Sequence, residues 1–178
     1  MTRNPENLII RQETPEDYAG IYELTKAAFA GMEHSDGDEQ ELPERLRKRE
    51  EFIPELSLVA VLDGRLAGHI LFSEMTIGGH PALCLGPVSV LPEFQCRGIG
   101  GALIEEGHAV ARSLGFSVCV LVGHADYYPR FGYERIDRHS ITFPFDAPEE
   151  CKLVKLLSED GKHIRGEALF PPELIPVV

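Results

Sequence analysis

One stretch, Leu83 to Gly107 (LCLGPVSVLPEFQCRGIGGALIEEG), constrains this chain more than any other. It reads as a strand, a turn and the start of a helix. Gly86-Pro87 lies inside the strand, where proline donates nothing to a ladder and glycine permits a bulge, so pairing with one neighbour fails and the strand splays. Beyond the break the N–H groups of Val88 and Val90 need acceptors from elsewhere, because an unpartnered backbone donor is costly. An extended ligand that carries amides satisfies them. Further on, Gln95-Cys96-Arg97-Gly98-Ile99-Gly100 runs straight into the helix, where unpaired N–H groups and the positive end of the helix dipole favour an anion. Gly98 and Gly100 let backbone approach a diphosphate closely, and Arg97 adds charge-assisted bonds.

The flanking segments alternate in period. After an apolar strand at Leu8 to Ile10, Thr14 with Pro15 and Asp17 caps a helix in which Tyr18, Ile21, Tyr22, Thr25, Ala28 and Phe29 recur at helical spacing. An acidic loop over residues 33–41 precedes a short helix from Pro43, whose basic run Arg45, Arg47, Lys48 and Arg49 reads as a solvated face. Asp63-Gly64, Gly78-Gly79 and Asp160-Gly161 each separate apolar runs, as type I′ hairpins require. A helix over residues 98–114 carries Ile99, Leu103, Val110 and Leu114 on one stripe and stops at Gly115. A buried strand follows at residues 117–122, then one or two helical turns between Ala125 and Arg130, then a strand at residues 131–136. This order predicts an α/β (α+β) chain: a mixed, mostly antiparallel central sheet with a splayed strand pair and helices on both faces. We expect one domain over residues 1–178, with a core at about 8–145 and a C-terminal hairpin at about 150–170.

Charge and cysteine usage exclude several classes. With 17 basic and 29 acidic residues the net charge is −12, which opposes nonspecific binding to nucleic acid or anionic lipid and favours cationic partners such as amines. The longest apolar runs, Leu58 to Leu62 and Val118 to Val122, fall far short of the ~20 residues of a membrane span, and the N-terminus has no secretory apolar stretch. A cytoplasmic location is the expectation. Cys84, Cys96, Cys119 and Cys151 form no C-x-x-C pair, and the histidines show no ligand spacing, so we expect reduced thiols and no metal. G-x-S-x-G and P-loop patterns are absent.

The segments LGPVSVLPEFQCRGIG and ADYYPRFGYE resemble the GNAT-type N-acetyltransferase superfamily, in particular a broad bacterial branch, and the resemblance extends over most of the chain. It implies acetyl-CoA as cosubstrate, its pantetheine arm inserted like a strand beside Val88 to Val90 and Val118 to Val122. By the same match Val88 N–H holds the thioester oxygen, Val90 bonds pantetheine, Ser89 lies between them, and the phosphates rest on Gln95, Cys96, Arg97, Gly98, Ile99, Gly100 and Gly101. Family members commonly place a tyrosine four residues before the glycine of a G-F or G-Y pair, which maps the general acid to Tyr128, with Tyr127 as nearby rival. Three positions depart from the family pattern: Cys96 stands where glycine is frequent, Tyr133 where phenylalanine is frequent, and His124 where a short polar residue is common.

Acyl transfer to an amine develops an oxyanion and expels a thiolate, so it needs a backbone donor for the first, a phenol for the second, and an acceptor for the amine's proton. Candidates for that base are Glu74, Glu33 and His34, with a water held by Ser89 as an alternative; His124 could touch substrate. Cys96 at a helix start raises an acyl-enzyme route, but it matches the phosphate loop, remote from the thioester. The expected function is acetyl transfer from acetyl-CoA directly to a primary amine of a small molecule or peptide. The alternatives are a noncatalytic acyl-CoA-binding or regulatory module, or transfer of a longer acyl group, and a homodimer is left open.

Overall fold

The computed structural model describes residue 5, residues 7–33 and residues 35–176. In chain order the elements are β1 (Leu8–Gln12), α1 (Tyr18–Phe29), α2 (Leu42–Arg47), β2 (Ser57–Leu62), β3 (Arg65–Ile77), β4 (His80–Val90), α3 (Ile99–Ser113), β5 (Val118–Val122), β6 (Glu134–Arg135), β7 (Ile141–Thr142), β8 (Lys152–Leu156) and β9 (Gly166–Leu169). Hydrogen bonds order the strands β1-β2-β3-β4-β5-β8-β6, with β9 paired to β3 and β7. Pairings β4–β5 and β7–β9 are parallel, and β1–β2, β2–β3, β3–β9, β5–β8 and β6–β8 are antiparallel, the mixed sheet that the sequence predicts. No helix among the described residues is long and apolar enough to cross a membrane. The chain forms two compact units: one holds the chain up to Phe72 with Pro87–Gly107, the other Ser73–Gly86 with the chain from His108 onward.

In the first unit β1 lies antiparallel on β2, from Leu8↔Leu62 to Gln12↔Leu58. Asp63 (φ 50°) and Gly64 (φ 78°) supply the two left-handed residues of the expected I′ turn into β3. The β2–β3 register then steps from Val61↔Leu66 to Ala60↔Gly68, leaving Ala67 as the extra residue of a bulge. Its carbonyl accepts the Leu91 N–H at 2.9 Å, which anchors the end of β4. α1 starts where Thr14 N–H meets Asp17 Oδ2 at 2.8 Å, and it buries Ile21, Leu24 and Thr25. A β-carbon on Gly107 of α3 would lie 2.1 Å from the Phe72 ring, so glycine lets this helix rest directly on β3.

The basic run is not a uniform solvated face. Arg45 and Lys48 form exposed pairs with Asp38 and Glu44, but the Arg47 side chain is only 11% exposed. Its Nε and Nη2 donate to Glu13 at 2.8 and 2.9 Å, and its guanidinium lies 3.9 Å from the centre of the Tyr18 ring. Buried Glu13 demands a cation, and a charge pattern read along one helix does not reveal a carboxylate supplied by a distant segment. His69 Nε2 lies 3.2 Å from Glu13 Oε2 and 2.9 Å from Ser57 Oγ.

In the second unit Gly78 (φ 55°) and Gly79 (φ 81°) turn β3 into β4, again as predicted. β5 pairs with β8 from Val118↔Leu156 to Val122↔Lys152, and β8 pairs in turn with β6. Met75, Ile77, Ala82, Val118, Val120, Ile136 and Val154 form the centre of the core, against which Phe143 and Phe145 pack. Each large buried apolar side chain contributes about 1.5–3 kcal/mol. α3 ends in a Schellman motif, with Gly115 N–H bonded to Arg112 O at 3.0 Å and Phe116 N–H to Ala111 O at 3.1 Å. Leu114, expected on the apolar stripe, is exposed because it lies at this helix end.

Two expectations are corrected here. The C-terminal hairpin at 150–170 does not form: β8 pairs with β5 and β6, whereas β9 pairs with β3 and β7. Residues 159–163 make a 3₁₀ turn, and neither Asp160 nor Gly161 takes the left-handed conformation that a I′ turn needs. A β-carbon on Gly161 would lie 2.4 Å from Ser117 O, so this glycine serves close packing. The strand expected at 131–136 shrinks to Glu134–Arg135, since Tyr128–Phe131 and Ile136–Arg138 are both 3₁₀ turns.

Candidate active site

In the second unit β4 and β5 share two parallel pairs, Leu83↔Cys119 and Cys84↔Val120, and the ladder stops before Leu85 and Leu121. Gly86 follows with φ 154°, a conformation open to glycine alone among common residues. The break inferred from Gly86-Pro87 therefore begins one residue earlier, at Leu85.

The first unit holds the rest of β4 and the loop beyond it. Val88 and Val90 are half-buried and alternate with buried Pro87 and Ser89. Ser89 Oγ is buried with no hydrogen-bond partner among the described residues. Gln95 Nε2 donates to Val90 O at 3.0 Å, tying the loop to the strand end, so this side chain is engaged by backbone. Phe94 is buried at the base of the loop, with the Arg65 and Arg97 guanidinium groups 5.0 and 5.7 Å from its ring centre.

Cys96 (φ 60°) and Gly98 (φ 83°) both adopt left-handed backbone. For Cys96 that explains why glycine is frequent at this position of the family pattern, since a β-carbon is strained there. The Ala102 N–H bonds Gly98 O at 3.0 Å as the first turn of α3 closes, so the N–H groups of Ile99, Gly100 and Gly101 precede the helical ladder. Three clustered donors, the helix dipole and the exposed Arg97 guanidinium fit a diphosphate.

Tyr128 lies in the second unit on the 3₁₀ turn, where its N–H and that of Tyr127 reach toward His124 O at 3.4 and 3.1 Å. It is 9% exposed and makes edge-on ring contacts with Tyr127 at 5.1 Å and Tyr133 at 5.8 Å. Burial, then the neighbouring Tyr127, Cys119 and Cys84, push its phenol above the ordinary tyrosine range. Tyr127 is less buried and is raised too, by burial against the opposing charge of Arg130.

Behind Tyr128 lies a chain that sequence reasoning missed. His108 Nε2 is 2.9 Å from Tyr133 Oη, and Tyr133 donates to Cys119 Sγ at 3.3 Å. Burial, then Lys155 and Arg112, bring His108 down to about 3, so the imidazole is neutral. Burial pushes the Cys119 thiol up to about 12 despite hydrogen bonds from Tyr133 and the Leu85 backbone. One signal was available, the tyrosine at position 133 in place of the frequent phenylalanine, because an added buried hydroxyl needs partners.

The candidate bases separate. Glu74 is half-buried on β3 in the second unit, whereas Glu33 is exposed after α1 in the first, and His34 lies outside the described residues. Exposed Cys96 sits on the loop, and Cys84 and Cys119 are buried strand residues. Among the described residues no group of three or more His, Cys, Asp or Glu could hold a metal ion.

Comparison with known proteins identifies the family. The model of the acetyltransferase (GNAT) family matches residues 18–133. YjhQ of Escherichia coli K12, an uncharacterized N-acetyltransferase, is 36% identical over 141 residues, covering 76% of this chain and 75% of the relative. A GNAT family acetyltransferase from Brucella melitensis, solved in complex with acetyl-CoA, is 36% identical with a TM-score of 0.78, spanning 95% of this chain and 99% of its own. YhbS from Escherichia coli, solved with CoA, has a TM-score of 0.85 at 25% identity, over 97% and 94% of the two chains. The chain is a member of the acetyltransferase (GNAT) family.

Proposed function

We propose that this protein transfers acetyl from acetyl-CoA directly to a primary amine of a small molecule or peptide: an amide C–N bond forms, the thioester C–S bond breaks, and CoA leaves. The observation that carries the reading is the donor cradle at the start of α3, where left-handed Cys96 and Gly98 lead into the N–H groups of Ile99, Gly100 and Gly101. Two solved relatives that hold acetyl-CoA and CoA support the same ligand here.

In this reading the cradle and Arg97 hold the diphosphate, Val90 bonds the pantetheine arm, and Val88 N–H donates to the carbonyl oxygen as negative charge builds there. Tyr128 donates toward the departing sulfur. A phenol raised above its ordinary value near 10 keeps its proton throughout the neutral range, so it is always a donor. Glu74, the half-buried candidate, takes the amine's proton, and the net charge of −12 favours the approach of a cationic acceptor.

Titration calorimetry with acetyl-CoA and with CoA tests the first half, since the cradle requires heat of binding from both. Release of CoA thiol across an amine panel tests the second. Tyr128→Phe lowers kcat by about 10²–10⁴-fold with the affinity for acetyl-CoA unchanged. Silence in calorimetry at millimolar ligand removes the proposal.

A further inference from the structure

We propose that Tyr133 and Gly123 are positioning residues for Tyr128: the Tyr133 hydroxyl, held between His108 and Cys119, fixes the ring that Tyr128 rests against, and Gly123 leaves the space that the Tyr128 ring fills. This rests on the reading of Tyr128 as general acid.

Three observations converge. The Tyr133 hydroxyl has one proton, which it donates to Cys119 Sγ at 3.3 Å, so its oxygen accepts from His108 Nε2 at 2.9 Å. Both partners are fully buried, on β5 and α3, and the ring itself is 2% exposed. A phenylalanine at this position would have the same shape but neither tether. The Tyr128 and Tyr133 rings meet edge-on, with centroids 5.8 Å apart and planes at 76°, so a rotation of one displaces the other. On another side, a β-carbon at Gly123 would lie 2.4 Å from Tyr128 Cε2 and 3.0 Å from Cδ2. Alanine at 123 therefore cannot coexist with the observed ring position. The phenol is thus confined by Tyr133, by the empty side of Gly123, and by the Tyr127 ring at 5.1 Å.

Confinement matters because proton donation depends steeply on geometry: a misplacement of about 1 Å costs on the order of 10²-fold in rate. Tyr133 and Gly123 touch the reacting atoms only through Tyr128, so their effect should appear in kcat and vanish when Tyr128 has no hydroxyl to position.

The test is a double-mutant cycle on the full chain, read by CoA release with an amine that the wild type acetylates, together with acetyl-CoA calorimetry and ring resonances of ¹³C-labelled tyrosine. Tyr133→Phe and Gly123→Ala each lower kcat by about 10- to 100-fold, with the acetyl-CoA dissociation constant changed less than about twofold. In a Tyr128→Phe background neither lowers kcat further. In both single variants the Tyr128 resonances, assigned by their loss in Tyr128→Phe, move while those of Tyr18 and Tyr22 stay. Full additivity in the cycle overturns the proposal, as do unmoved Tyr128 resonances in both variants. If Tyr128→Phe itself leaves kcat intact, or no amine is acetylated, the reading of Tyr128 as acid fails, and the resonances still decide whether Tyr133 and Gly123 hold the ring. Gly123→Ala serves alone if Tyr133→Phe does not fold.

Discussion

His69 and His108 are both fully buried, and they are held by opposite chemistry. His69 in the first unit lies beside an ionised pair, Glu13 with Arg47, whereas His108 in the second unit joins a chain of neutral groups, Tyr133 and Cys119. Burial would raise the Glu13 carboxyl, but hydrogen bonds from Arg47 and His69 outweigh it and bring it to about 2. Burial lowers both histidines, beating the pull of Glu13 on His69. The difference is one of consequence. A buried ion pair is safe only while complete, since removing one charge strands the other, whereas removing a member of a neutral chain strands no charge.

The largest effect should come from breaking the charged cluster. Glu13→Ala leaves the Arg47 guanidinium buried without its carboxylate and costs about 3–5 kcal/mol in urea unfolding. Tyr133→Phe removes one neutral hydroxyl together with its hydrogen bonds to His108 and Cys119, and costs about 1–3 kcal/mol. Equal losses from the two would erase the distinction.

Acid reaches both buried histidines before it reaches the carboxylate. His108 has its folded value at about 3 against an unfolded value near 6.5, so the unfolded chain binds the extra proton first. Its contribution is complete above pH ~6.5 and is lost as pH falls toward 3, with a slope of up to about 1.4 kcal/mol per pH unit. His69, lowered by burial as well, adds a loss of the same sign, whereas Glu13 joins only below its unfolded value of about 4.3. Urea midpoints between pH 7 and 4.5 should therefore fall in the wild type and fall less steeply in His108→Gln. Parallel curves would mean that His108 takes up its proton over the same pH range in the folded and the unfolded chain.

Alkali loads the neutral cluster and leaves Glu13, already ionised, untouched. Tyr128 and Tyr133 are raised above the unfolded value near 10, chiefly by burial. Their stabilisation is whole below pH 10 and declines as pH rises, because only the unfolded chain releases those protons there. Each contributes up to about 1.4 kcal/mol per pH unit, so Tyr128→Phe should flatten the decline above pH 10, and Glu13→Gln should leave its slope unchanged.

The two clusters also explain what a reader of the sequence can and cannot find. Gly86-Pro87, Asp63-Gly64 and the loop from Gln95 to Gly101 announce themselves because their job is done by backbone, and glycine and proline act on backbone locally. The His108–Tyr133–Cys119 chain and the Glu13–Arg47–His69 cluster each draw on distant segments. Their residue types look ordinary in any one window, and only tertiary packing makes them partners. Asp160-Gly161 shows the converse error, a local turn signal overridden when β8 and β9 find other strands. Arg47 shows another, since one arginine of a basic run is taken inward by a carboxylate more than thirty residues away in sequence.

The smallest effect sharpens the contrast from within the charged cluster. Ser57 Oγ lies 2.9 Å from His69 Nε2, but the same nitrogen also faces Glu13 Oε2 at 3.2 Å. Ser57→Ala therefore leaves His69 with its carboxylate partner and Glu13 with both contacts to Arg47, so no buried charge is stranded. The expected cost is under about 1 kcal/mol, the value of one shared neutral hydrogen bond. A loss approaching that of Glu13→Ala would show that the serine hydroxyl, and not the arginine, keeps the carboxylate ionised, and the ion pair would no longer distinguish this cluster from its neutral counterpart.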